Sequence, residues 1–182
     1  LKIGAITSHL KPVVDKDYLT YFENYRKEMI ASGINYQEFD LEGKTQEEIL
    51  DFFKDKNVIQ IGGGNVFYLI KIIWESGFDK ILKSFIEKGV SYIGCSSGSY
   101  IMCPNLEVGT WRGKENFGIT DLTGLGYVPF VIKAHYKDEQ EDYIKEKMKN
   151  LKYPLRILRD GQGILVEDDK YTFIGGEEVK LK

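Results

Sequence analysis

The chain has 182 residues, 42% hydrophobic and 29% charged, with 25 Lys and Arg against 28 Asp and Glu for a formal net charge of -3. That composition fits one domain with a sizeable core, and its slight acidity argues against a nucleic-acid binder, which presents a basic face. No apolar run approaches the ~18 residues of a membrane-spanning helix, and the start, Leu1-Lys2-Ile3-Gly4-Ala5-Ile6, reads as a strand rather than a secretory leader. The two cysteines, Cys95 and Cys103, make neither a disulfide framework nor a metal site and are expected as free thiols in a reducing cytoplasm.

Leu1 to Thr7 is predicted as a strand. Asp17 to Ala31 has helical spacing, with Tyr18, Phe22, Tyr25 and Met29 at steps of three or four and Gly33 as the stop; its aromatic residues read as core. Ile34 to Leu41 is a second strand. Thr45-Gln46-Glu47-Glu48 resembles a capping box that starts a helix through Phe53. Asn57 to Ile61 is a third strand, ending in Gly62-Gly63-Gly64-Asn65. Val66 to Trp74 is helical and broken by Gly77, and Ile81 to Lys88 is another helix. After a short strand at Tyr92-Ile93, a helix runs to near Pro104. Asn105 to Gly126 reads as loop or irregular hairpin, Tyr127 to Ile132 as a strand ending at Lys133-Ala134-His135, and Glu139 to Leu151 as a charged, solvated helix. A strand at Leu155 to Leu158 ends at Asp160. Gly163 to Val166 and Lys170 to Ile174 form a hairpin around Glu167-Asp168-Asp169. Strands alternating with helices indicate an α/β layered domain with a mainly parallel sheet.

The stretch Tyr92-Ile93-Gly94-Cys95-Ser96-Ser97-Gly98 is a strand running into Gly-x-Ser-x-Gly, the layout of a nucleophile elbow. The pattern alone recurs by chance in roughly one chain in ten at ordinary composition. Its weight comes from the strand before it and the helix after it. Glycine flanks such a turn because the turn crowds any Cβ, and the serine at the helix N-terminus has unpaired backbone N–H groups beside it. Ser96 takes the nucleophile position. Cys95, one residue earlier, is expected as a small buried residue.

In a parallel sheet, ligands bind beyond the carboxyl ends of the strands. Gly62-Gly63-Gly64-Asn65, Ser96, His135 and Asp160 all stand at such ends. A serine hydroxyl needs a base to take its proton; His135 is the natural one, and a carboxylate at Asp160 would hold the imidazole tautomer. Backbone N–H groups of Gly63, Gly64 and Ser97 are candidate oxyanion donors, and Asn65 is a candidate substrate contact. The competing readings are a surface or core histidine at His135, a plain hairpin turn at Asp160-Gly161, and a phosphate cradle at the glycine loop, which lacks the Gly-Lys-Ser/Thr of a P-loop.

Taken together, Gly62-Gly63-Gly64-Asn65-Val66-Phe67, Tyr92-Ile93-Gly94-Cys95-Ser96-Ser97-Gly98, Pro129-Phe130-Val131-Ile132-Lys133-Ala134-His135-Tyr136, Leu158-Arg159-Asp160-Gly161 and Gly175-Gly176 resemble the peptidase E (alpha-aspartyl dipeptidase) family of serine peptidases, related to cyanophycinase. The resemblance implies a three-layer α/β/α fold, flavodoxin-like and class I glutamine amidotransferase-like. It also implies a single peptidase domain over 1–182, hydrolysis of short peptides by a Ser-His-Asp arrangement, and a cytoplasmic monomer or homodimer. No cofactor, metal, nucleic acid or membrane is expected. The family's acid is usually a glutamate where this chain has Asp160, and a second candidate stretch, Leu106 to Trp111, offers Glu107. Relatives specific for aspartyl substrates carry a longer segment with an arginine after the histidine. Here Lys137 to Asp142 is short and mostly acidic, which argues against a strict preference for N-terminal aspartate. Relatives also begin with an extra strand and helix before the stretch matching Leu1, and a chain lacking them would expose a sheet neighbour. The alternatives are an esterase or amidase on the same scaffold, or a catalytically impaired binding protein.

Overall fold

The computed structural model describes residues 1–111, 113, 115–168 and 170–181. Strands β1 (Lys2–Ile6), β2 (Asn35–Phe39), β3 (Val58–Ile61) and β4 (Ser91–Gly94) form a parallel sheet in the order β2-β1-β3-β4. The two central strands are continuous buried runs from Ile3 to Ile6 and from Val58 to Ile61, as a strand covered on both faces requires. Parallel neighbours need crossover connections, supplied by α1 (Lys16–Ala31), α2 (Gln46–Phe53), and α3 (Val66–Ser76) with α4 (Phe78–Glu87). Tyr25 and Met29 of α1 pack on the face made by Ile3, Ala5, Tyr36 and Val58. On the other face Ile6, Ile59 and Ile61 are buried with Phe53, Phe67 and Phe78 of α2, α3 and α4. The result is the expected three-layer α/β/α arrangement.

Local signals place several element ends. Thr45 accepts from the Glu48 N–H while the Glu48 carboxylate accepts from the Thr45 N–H, so the capping box forms and α2 starts after it. Gly77, with φ +68, ends α3 and starts α4 at once. Helix α4 therefore begins at Phe78, three residues before the expected Ile81, and buries Phe78, Ile81, Leu82 and Phe85.

The second half departs more from expectation. The helix after the elbow is short, α5 (Ser97–Tyr100), and the Asn105–Gly126 region holds a helical turn, α6 (Glu107–Thr110), and an isolated bridge between Asn105 and Thr123. The strand expected from Tyr127 is confined to β5 (Val131–Lys133). Pro129 has no N–H for a ladder, and the Tyr127 N–H donates to Met102 O at 2.8 Å. Next, α7 (Glu141–Met148) leads to β6 (Leu155–Ile157), which pairs parallel with β5 in a separate sheet. Ala134 N–H, just past β5, donates to the Tyr100 hydroxyl of α5 at 3.1 Å. Helix α5 thus bridges β4 and β5, which are not hydrogen-bonded neighbours. Strands β7 (Gly163–Glu167) and β8 (Lys170–Ile174) form the expected hairpin; Asp169 of its turn lies outside the described residues. No described helix is long and apolar enough to cross a membrane.

One buried group makes stability depend on pH. His9, in the 3-10 turn Ser8–Leu10 after β1, is 0% exposed. Burial pushes its imidazole down to about 4, opposed in part by the Ile6 backbone. The unfolded chain, titrating near 6.5, binds a proton that the folded state refuses, so this contribution is complete above 6.5 and is lost as pH falls toward 4. Between pH 7 and 4.5 His9 should cost about 2–3 kcal/mol of stability. Denaturant titrations of the wild type and His9→Gln at both pH values should show a smaller acid loss in the variant; equal losses would remove His9 from the account.

Candidate active site

The ends of three strands and a glycine loop bring the candidate residues together. Ser96 follows β4, His135 follows β5, and Asp160 follows β6, while Gly62-Gly63-Gly64 links β3 to α3. The Ser96 Oγ lies 3.1 Å from His135 Nε2, and His135 Nδ1 lies 2.5 Å from Asp160 Oδ1. All three expected side chains are therefore brought together in one line. A neutral imidazole with its proton on Nδ1 donates to Asp160 and accepts from the Ser96 hydroxyl, the protonation state a general base requires. The carboxylate is 75% exposed and the imidazole 42% exposed, so solvent screens their charge interaction and the hydrogen bond chiefly orients the ring.

The backbone at this edge is held in unusual conformations. Ser96 has φ +50 and ψ -110, and His135 has φ +58. Among the described non-glycine residues only Phe117 and Asp168 also have positive φ. Such conformations cost of order 1–3 kcal/mol each and persist where surrounding contacts over-determine them. At the elbow those contacts are close: a Cβ on Gly98 would stand 2.2 Å from the Ile61 carbonyl oxygen, so only glycine lets α5 meet the end of β3.

The glycine loop lies against Ser96. A Cβ on Gly63 would be 3.1 Å from Ser96 Cβ and 2.9 Å from the Tyr18 hydroxyl, and one on Gly64 would be 2.3 Å from His9 O. The N–H groups of Gly63 and of Ser97, at the first position of α5, donate to nothing among the described residues. Both flank the serine on which a tetrahedral oxyanion would form. The Ser97 side chain turns away and donates to Gly64 O at 2.9 Å.

Other expected residues have different surroundings. The Asn65 side-chain Oδ1 accepts from the N–H groups of Phe67 and Tyr68, capping α3, and its side-chain Nδ2 donates to Glu115 O at 2.8 Å. With three of its four bonding positions occupied in this way, the buried Asn65 side chain holds the loop-to-helix turn. Glu107 starts α6, and the carboxylate on His135 is that of Asp160. Cys95 is exposed, against the expectation of burial. It shares a face with Ile93, itself 44% exposed, because α1 reaches Gln60 of β3 through Tyr25 but leaves the outer strand β4 uncovered there. The nearby arginine, Arg159, is ion-paired with Asp138 and stacked over Tyr136. Among the described residues no group of His, Cys, Asp and Glu could hold a metal ion.

Tyr18 reaches this edge although its helical spacing assigned it to the core. In an α/β crossover the first turn of a helix lies near the strand end that feeds the site. That topological signal separates Tyr18 from Tyr25 one face-repeat later. Its hydroxyl donates to Gly63 O at 2.7 Å.

Comparisons with known proteins identify the family and the fold. The sequence model of peptidase family S51 matches residues 12–174. The chain is 27% identical over 183 residues to a peptidase E of Streptomyces coelicolor, covering 93% of this chain and 72% of that protein. It is 24% identical over 155 residues to a candidate alpha-aspartyl dipeptidase of Drosophila melanogaster, covering 79% and 64%. A crystal structure of a candidate peptidase E protein from Listeria monocytogenes EGD-e superposes with a TM-score of 0.80 at 21% identity, over 97% of this chain and 86% of that one. The fold is that of peptidase E, and the chain belongs to peptidase family S51 as a serine-type peptidase.

Proposed function

We propose that the chain hydrolyses short peptides with Ser96 as nucleophile, His135 as general base and acid, and Asp160 as the group that orients the imidazole. The observation that carries this reading is the continuous line from Ser96 Oγ to His135 Nε2 at 3.1 Å and from His135 Nδ1 to Asp160 at 2.5 Å. His135 takes the hydroxyl proton as Ser96 attacks the scissile carbonyl, then returns it to the leaving amine. Gly63, Gly64 and Ser97 N–H groups receive the oxyanion, the step that supplies the largest electrostatic share of such catalysis. Water then hydrolyses the acyl-enzyme with His135 again as base. Residues 1–182 act as one peptidase domain, since strands from both halves of the chain supply the site, and its unpaired thiols suit a reducing cytoplasm.

Strict selection of N-terminal aspartate would call for a free cation near Ser96. The arginine beside Asp160 is instead ion-paired with Asp138, and this supports a broader side-chain preference. A dipeptide and tripeptide library at neutral pH, with fluorophosphonate labelling mapped by peptide mass, tests the reading. Turnover together with a label on Ser96 is expected. A folded protein that neither cleaves any peptide nor takes the label on Ser96 overturns it.

A further inference from the structure

The three glycine carbonyls of the 62–64 loop are each gripped by a donor: Gly62 O by Gly98 N–H at 3.1 Å, Gly63 O by the Tyr18 hydroxyl at 2.7 Å, and Gly64 O by the Ser97 hydroxyl at 2.9 Å. A trans peptide is planar, with its C=O and N–H pointing in opposite directions. Holding a carbonyl therefore fixes where the next residue's N–H points. Glycine peptides rotate easily because no Cβ restricts φ and ψ, so these contacts replace the restraint that side chains would give. Two of the three donors belong to the elbow itself. The middle one comes from a different element, α1, and it controls the Gly63–Gly64 peptide.

We propose that Tyr18 is a positioning residue for the oxyanion site: its hydroxyl locks the Gly63–Gly64 peptide plane, while Gly98 holds the Gly62–Gly63 plane that carries the Gly63 N–H, so that Gly63, where the two planes meet, keeps its place beside Ser96. The two planes meet at Gly63, whose position is tight against both partners, since a Cβ there would lie 2.9 Å from the Tyr18 hydroxyl and 3.1 Å from Ser96 Cβ. The single hydroxyl proton of Tyr18 is committed to Gly63 O, so Tyr18 acts through the loop and not on substrate. Burial pushes its phenol up to about 12, which keeps that proton in place across the working range of a histidine base. The anchoring of α1 supports the contact: the Asp15 carboxylate accepts from the Asp17 and Tyr18 N–H groups and pins the first turn that presents the ring. Tyr21, 6.4 Å away by ring centroid and 65% exposed, makes no such contact.

This inference rests on the serine mechanism above, and its test separates the two. Fluorophosphonate inactivation needs the same oxyanion site, because charge develops on the phosphoryl oxygen as Ser96 attacks. For Tyr18→Phe the maximal inactivation rate should fall about tenfold, less than the ~10²-fold loss of a whole oxyanion donor. The inactivator's binding constant should stay within twofold, and the pH midpoint of inactivation should not move, since His135 is untouched. Tyr21→Phe should match the wild type, and 3-fluorotyrosine at position 18, which keeps the hydroxyl, should restore the rate to within twofold. A Tyr18→Phe rate within twofold of wild type overturns the inference alone. So does a variant that fails to fold, or one in which binding weakens in step with the rate, because the hydroxyl is then a structural support. A folded wild type that neither cleaves any peptide nor takes the label on Ser96 overturns the mechanism and this inference together.

Discussion

Replacing Ser96 with alanine is expected to lower peptide turnover by about 10⁴-fold or more while leaving the fold intact. The hydroxyl is the only part of the residue removed, and the side-chain hydrogen bond it forfeits is that to His135 Nε2. Alanine keeps the Cβ that packs near Gly63 and accepts the same backbone conformation with the same strain. His135→Ala should cost a comparable factor, because an unassisted serine hydroxyl is a poor nucleophile. The double variant should be no worse than either single one: residues that act as a unit lose their shared contribution once. Steady-state kinetics on one cleaved peptide, with circular dichroism of each variant, check this. Independent, multiplying losses would mean that Ser96 and His135 do not act in the same step.

The second large effect concerns stability. Gly98→Ala should destabilise the protein by about 3 kcal/mol or more, at the upper end of overpacking costs, and remove activity with it. The added Cβ would meet the Ile61 carbonyl oxygen at 2.2 Å and its carbon at 2.9 Å. That carbonyl cannot swing aside cheaply, since it accepts the Cys95 N–H at 2.9 Å. Gly98 N–H itself bonds to Gly62 O and Cys95 O, so moving α5 away from β3 disturbs the glycine loop and the elbow together. Gly163→Ala is the matched control: nothing stands within 4 Å of its Cβ position, and a change within about 0.5 kcal/mol is expected. Urea midpoints of the two variants measure the contrast, and a Gly98→Ala protein as stable as Gly163→Ala would refute the packing argument.

Much of this protein is written in short-range pattern. The apolar runs of β1 and β3 and the Thr45–Glu48 capping box depend on residues a few positions apart. So do the stop at Gly77 and the Gly-x-Ser-x-Gly elbow, and each therefore formed where the sequence indicated. The convergence of Ser96, His135 and Asp160 was also legible, because parallel strands carry their carboxyl ends to one edge whatever their order. Other features were decided only in three dimensions. Whether Asp160 or Glu107 reaches His135 depends on how β6 docks on β5. Asn65 is a helix cap because its side chain meets two N–H groups of its own helix. Cys95 is exposed because α1 stops short of β4, a matter of how one helix lies across four strands. Tyr18 belongs to the site through a partner 45 residues away. Periodicity reports which face of a helix is apolar. It carries no information on which end of that face meets the glycine loop, and only the packing of α1 against the sheet supplies it.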